Sequence, residues 1–235
     1  MNVDRPAGGD APHPDWLTPR AAVWVFLAFA LAYFLSALVR AITATLSPTL
    51  SAELALSASD LGLLAAGYFL GFALPQLLLG NWLDRHGPRR VIVGVLTLAA
   101  IGCVAFALAT SFAGLLAARV LTGMGVAACL MAPLTGFRRW LSPPTLLRVN
   151  SWMLMTGSLG MVAATLPVQW LLPVTGWRGL FWWLALMLVL TMAVLWWRVP
   201  GWARGANAGA LPSAAPIGHR HIARHPFFRQ MLPIG

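Results

Sequence analysis

Apolar residues in this chain run in blocks rather than alternating with polar ones. Six blocks stand out: 24–46 (extending toward 50), 61–82, 91–109, 112–134, 151–172 and 180–197. A helix rises about 1.5 Å per residue, so roughly 20 apolar residues cross a hydrocarbon core of about 30 Å. The pattern predicts an all-α membrane protein with six transmembrane helices. Asp60 is placed to cap the second helix and Asn150 the fifth. Pro88 suits the first turn of the third, and Pro133 falls near the end of the fourth.

Composition agrees. Hydrophobic residues make up 59% of the 235 and charged residues only 9%, whereas a soluble domain carries about 25% charged residues to clothe its surface. The formal charge of +10 comes from Arg alone, since the chain has no Lys. A basic chain is a candidate for nucleic-acid binding, but these Arg residues sit in short loops between apolar blocks. That placement sets nucleic acid aside and makes the lipid bilayer the partner. Cys103 and Cys129 both fall inside apolar blocks and read as packing residues rather than a disulfide or metal pair. No cofactor or metal site is expected.

The loop charges set the orientation. Arg5 and Arg20 precede the first span. Arg85, Arg89 and Arg90 follow the second, and Arg138, Arg139 and Arg148 follow the fourth. Arg198, Arg204, Arg220, Arg224 and Arg229 follow the sixth. The other side holds Arg178 alone. Positive residues stay inside, which predicts cytoplasmic termini in a bacterial inner membrane. Residues 1–20 then form a disordered cytoplasmic tail, 21–200 the six-helix bundle, and 201–235 a cytoplasmic linker and the approach to a seventh helix. Trp24, Trp82, Trp140, Trp177, Trp196 and Trp197 lie near block ends, as interface anchors do.

One loop carries a motif. Between the second and third blocks the chain reads Gly80-Asn81-Trp82-Leu83-Asp84-Arg85-His86-Gly87-Pro88-Arg89-Arg90. Gly80 allows a neighbouring helix to approach closely, the Asp-Arg cluster can lock helix ends, and Gly87 permits a tight turn. The loop resembles the one between helices two and three of major facilitator superfamily transporters, departing at Pro88, where that family often has a basic residue. Arg119-Val120-Leu121-Thr122-Gly123-Met124-Gly125 in the fourth block is similar to the family's Arg-x-x-x-Gly-x-Gly pattern. Gly176-Trp177-Arg178-Gly179-Leu180-Phe181 also resembles the family at the start of its sixth helix. The fifth block has Gly157 and Gly160 but lacks the Gly-Pro-x-x-Gly-Gly signature of drug/proton antiporters. The nearest feel is to organic-anion and nitrate/nitrite-like members.

The resemblance implies one six-helix half of such a fold, made of two inverted three-helix repeats. It implies secondary active transport of a small solute, symport included, by alternating access against a second six-helix half. Gly80, Asp84, Arg85, Gly87, Arg89 and Arg90 become a conformational latch that closes on that other half. The chain therefore reads as a fragment of a longer frame, or as a half-transporter that pairs with another half. The competing reading is a non-transporting assembly or regulatory membrane protein, or an inactive truncated fragment.

Charge within a span is expensive and marks function. Arg40 and Arg119 are the two cases, and both fall at similar depth in the outer half of the bilayer. The first and fourth helices of the resembled fold line its central cavity, so the pair points to an anionic substrate held by bidentate hydrogen bonds. Tyr33, Ser36, Arg40, Thr43 and Ser47 recur at spacings of three and four and form one polar stripe on the first span. Tyr68 and Gln76, eight apart, share a face of the second. The six acids, Asp4, Asp10, Asp15, Glu53, Asp60 and Asp84, all sit in the tail, loops or a cap, and the five His lie outside the spans. A proton-coupling group is thus expected in the second half or on the substrate. With no buried nucleophile beside a base, no metal cluster and no phosphate loop, the chain does not read as an enzyme.

Overall fold

The computed structural model describes residues 16–202, and all of them belong to one compact unit. Among the described residues eight helices follow one another: α1 (Pro19–Leu54), α2 (Ala58–Ala73), α3 (Gln76–His86), α4 (Pro88–Leu108), α5 (Phe112–Val126), α6 (Met131–Trp140), α7 (Pro143–Ala163) and α8 (Leu166–Arg198). They make six spans because three spans are broken in the middle. Five stretches, Pro19–Leu54, Ala58–His86, Pro88–Leu108, Phe112–Trp140 and Leu166–Arg198, are long and apolar enough to cross a membrane. The last of these turns at Gly176 (φ 64°, ψ 168°). Its first part therefore completes the fifth span, begun by the more polar α7, and its second part is the sixth.

Proline accounts for the breaks. It lacks an N–H and so removes one main-chain bond to the residue four back. Pro75 thereby frees the Gly71 carbonyl between α2 and α3, Pro133 frees that of Cys129 between α5 and α6, and Pro167 frees that of Ala163 between α7 and α8. At the third break the neighbouring carbonyl of Ala164 is taken by Thr45 Oγ1 of α1, 2.7 Å away. Polar groups freed inside a bilayer need such partners.

Several boundaries differ from the sequence reading. α1 starts at Pro19, with Thr18 Oγ1 accepting from the Ala21 N–H, so residues assigned to the tail are helical. It also runs through the expected first loop as far as Leu54. Ser57, not Asp60, caps α2; Asp60 is the third helical residue and its carboxylate bonds back to the Ser57 N–H at 2.9 Å. This is a reciprocal capping box. Asn150 is not a cap either, because α7 begins at Pro143 behind Ser142. Pro88 does open α4. The remaining tail (1–15) and linker (203–235) lie outside the described residues.

The packing shows the repeat. The first span packs on the fifth and sixth, and the fourth packs on the second and third, which is the exchange expected of two interleaved three-helix units. Close crossing of α2 and α5 needs glycine on both sides. A Cβ on Gly123 would overlap the Tyr68 carbonyl oxygen, and one on Gly71 would overlap that of Val120. Large apolar residues remain outward on the second and fifth spans, among them Leu77, Leu78, Trp170 and Val174. Only lipid or further helices can solvate such surfaces. The chain is a multi-pass, all-α membrane protein.

Candidate functional site

Arg119 is carried two turns into α5, whose start is capped by Ser111 Oγ accepting from the Gly114 N–H. Its side chain is 1% exposed. One terminal nitrogen donates to the Val39 carbonyl of α1 at 3.1 Å. The guanidinium carbon stands 5.1 Å from the Tyr68 ring centroid and 5.8 Å from that of Phe106. These contacts offset part of the desolvation cost of a buried cation. Nε has no protein partner among the described residues.

Arg119 borders a cavity of about 430 Å³ between α1, α2 and α5. Arg40, Thr43 and Ser47 come to it from α1, and Tyr68 and Phe69 from α2. Arg40 is half-buried and makes no hydrogen bond or ion pair among the described residues. The Thr43 hydroxyl is buried without a partner. Among the described residues no carboxylate lines this space. Two guanidinium groups bordering one cavity repel each other, and an anion between them relieves that cost. The aromatic and alanine walls offer an apolar surface beside the charge.

Tyr33, Ser36 and Gln76 fall elsewhere. Tyr33 fills the space left by Gly157 of α7. Ser36 is buried beside Tyr68 and Cys129. Gln76 is the first residue of α3, beyond the Pro75 break, and is not part of the cavity lining. The break interrupts the face that Tyr68 and Gln76 would share on an unbroken helix.

The motif expected as a loop is helical except at Gly87, with residues 80–86 in α3 and 88–90 in α4, and this junction sits at the Arg-rich end. Gly87 has φ 78° and Pro88 begins α4 directly after it. A positive φ of that size favours glycine. There is a second reason for glycine: Trp202, just after the sixth span, occupies the place of a Cβ at Gly87. Trp202 also lies under Arg139, 4.8 Å from its guanidinium carbon, and edge-on to Trp140 at 6.3 Å. Arg89 stacks on Trp196 at 4.1 Å. Gly80, Asp84, Arg85 and Arg90 are exposed, and Asp84 has no hydrogen bond or ion pair among the described residues.

The opposite end holds a cluster that the sequence did not reveal. Glu53, in the last turn of α1, accepts from Trp177 Nε1 at 2.6 Å and pairs with Arg178. Arg178 also reaches the Ala109 carbonyl after α4 at 3.5 Å. Three chain segments meet there. The one signal available was that Glu53 and Arg178 are the only opposite charges flanking the Arg-poor loops, apart from Asp60.

The sequence model described as Major Facilitator Superfamily matches residues 29–234. An uncharacterized MFS-type transporter of Mycobacterium tuberculosis, Rv1250, is 32% identical over 120 residues, covering 50% of this chain and 19% of the relative. The 4-hydroxybenzoate transporter PcaK of Pseudomonas aeruginosa is 29% identical over 181 residues, covering 77% of this chain and 40% of the relative. The chain thus spans less than half the length of these curated relatives. A bacterial homolog of the human lysosomal transporter Spinster, inward-facing and unoccupied, shares the fold with a TM-score of 0.76 at 22% identity. That match covers 88% of this chain and 49% of the other.

Proposed function

Because the chain belongs to the Major Facilitator Superfamily, we propose that it is the transport half that holds an anion site. Its substrate is a small carboxylate, an aromatic one by the character of the walls. The substrate binds between Arg40 and Arg119 and crosses by rocking of this half against a second six-helix half. The carrying observation is the shared cavity: two guanidinium groups border it, Arg40 has no hydrogen bond or ion pair among the described residues, and no acid is among its described lining residues. Phe69, which is exposed, supplies an aromatic surface on the same wall. The name of the Pseudomonas relative, a 4-hydroxybenzoate transporter, fits a carboxylate beside an aromatic surface.

On this reading the Arg-rich end is cytoplasmic in a bacterial inner membrane. Asp84, Arg85 and Arg90 are the latch groups left exposed for the second half, while Arg89 is committed to Trp196. Transport belongs to the two halves together, and this chain supplies the basic wall.

The test is binding. The chain in phosphatidylcholine nanodiscs is titrated with 4-hydroxybenzoate and with nitrate, and the titration is repeated with Arg40→Gln. Saturable 4-hydroxybenzoate binding that weakens at least about tenfold in the variant, or about 1.4 kcal/mol, supports the site. Unchanged affinity for both anions rejects it.

A further inference from the structure

A second cavity, of about 530 Å³, lies at the Arg-rich end between the starts of α1 and α7 and the end of α6. Its walls are aromatic and apolar: Trp16, Phe26, Trp140 and Trp152. The Leu17 N–H bonds the Trp140 carbonyl at 3.1 Å, which ties the residues before α1 over this space. Arg148 is the one charged residue in the lining. Beside it Ser142 and Thr145 share a hydroxyl–hydroxyl bond of 3.0 Å.

Two observations mark this place. The first is that its cation is uncommitted; Arg20, Arg85, Arg90 and Arg138 are likewise without a hydrogen bond, ion pair or ring contact among the described residues, but they do not line this cavity. Arg89, Arg139 and Arg198 each cover a tryptophan ring, at 4.1, 4.8 and 4.4 Å. Arg148 makes no hydrogen bond, ion pair or ring contact among the described residues, so its donors face the cavity and solvent. The second is direction. Pro19, Ala22 and Phe26 line this cavity, and at spacings of three and four they extend the face of α1 that carries Tyr33, Ser36, Arg40 and Thr43. Both cavities thus lie along one face of one helix. Phe26 and Arg40 are separated by about 21 Å of helix rise.

We propose that this vestibule is a second binding site for an aromatic carboxylate, with the carboxylate on Arg148 and the ring against Trp140 and Trp152. The volume and lining suit a small ligand: ligand sites are mostly apolar clefts of about 300–1,000 Å³ with a few polar groups that fix orientation. A guanidinium next to low-dielectric walls binds a carboxylate more strongly than one in open water. An indole offers a large rigid face to the ring. The ligand class rests on the reading of the Arg40–Arg119 site.

Equilibrium dialysis of radiolabelled 4-hydroxybenzoate against the chain in phosphatidylcholine nanodiscs tests this. Two sites per chain are expected. Arg148→Gln should remove one, Trp152→Leu should weaken the same one by about tenfold, and Arg40→Gln should remove only the other. Arg148 and Trp152 are exposed, so both variants should keep the helical circular dichroism of the parent. Unchanged stoichiometry and affinity in both variants would overturn the vestibule while leaving the central site intact. Loss of binding in Arg148→Gln with none in Arg40→Gln would support the vestibule and overturn the central site instead. If phosphatidylglycerol nanodiscs abolish the Arg148-dependent binding, a lipid headgroup holds the place and the aromatic-acid assignment fails.

Discussion

Arg119 of α5 donates to the main-chain carbonyl of Val39 in α1 across 3.1 Å, and Arg40, the next residue of α1, lines the same cavity. The buried cation of Arg119 therefore ties the main chain beside Arg40 to α5. Hydrogen bonds involving a charged group are worth about 1.5–3 kcal/mol. Arg119 thus has a structural task, while its buried Nε has no partner among the described residues.

The first prediction separates that task from anion binding. Arg119→Gln should lower both anion affinity and the unfolding temperature in detergent, because Val39 loses its donor. Arg119→Lys keeps a charge but not the planar fork, so it should recover stability better than affinity. A thermal-shift series alongside the anion titration reads both; equal losses in the two variants would contradict the shared role.

Arg40 should behave differently. It carries no hydrogen bond or ion pair among the described residues. Arg40→Gln should leave the unfolding temperature within a degree or so of the parent, since substitutions without a lost contact stay near ±0.5 kcal/mol. Anion affinity should fall nevertheless. A large stability loss in this variant would mean that Arg40 is structural.

The sequence made the six spans, the Arg asymmetry and the Arg40–Arg119 pairing legible, because block length and charge position are one-dimensional quantities. It misplaced Asp60 and Asn150 as caps: each stands in a helix whose true start, at Ser57 or Ser142, is polar and easily read as loop. The fate of Gln76 was hidden because a proline break rotates one half of a span against the other, and spacing arguments assume an unbroken helix. The Glu53–Trp177–Arg178 cluster and the vestibule were illegible for another reason. Each joins segments more than a hundred residues apart, and pairing of that kind is set by how the two repeats interleave.

Gly123 offers a packing test. A Cβ there meets the Tyr68 carbonyl, which is main chain and cannot swing aside. Gly123→Val should separate α2 from α5 and cost on the order of 1–3 kcal/mol or more. The measurable result is lower yield of folded chain and loss of the cavity formed by both helices. Normal thermal stability in this variant would refute the close crossing.

The Glu53 cluster should matter only modestly to stability. Its ion pair with Arg178 is well solvated, with the two side chains 42% and 39% exposed, and such pairs contribute about 0–1 kcal/mol. Glu53→Gln retains an acceptor for Trp177 and removes the charge. The expected outcome is a small fall in unfolding temperature that shrinks as added salt screens the parent's ion pair. Identical salt dependence in parent and variant would show that the pair contributes nothing in solution.

The last prediction concerns the motif loop and the residue that leans on it. Gly87 is held at φ 78°, and Trp202 stands where its side chain would be. Gly87→Ala therefore incurs two costs: a backbone penalty for a conformation (φ 78°, ψ 161°) that essentially only glycine adopts, of about 1–3 kcal/mol, and displacement of Trp202. Removing the indole relieves only the second. Trp202→Ala alone should cost stability through lost contact with Arg139 and Trp140, yet the double variant should be no worse than Gly87→Ala. A double-mutant cycle on unfolding temperature or denaturant midpoint measures this coupling. Strict additivity would mean that Trp202 does not rest on Gly87, and that the segment after the sixth span is not anchored to the loop bearing Asp84.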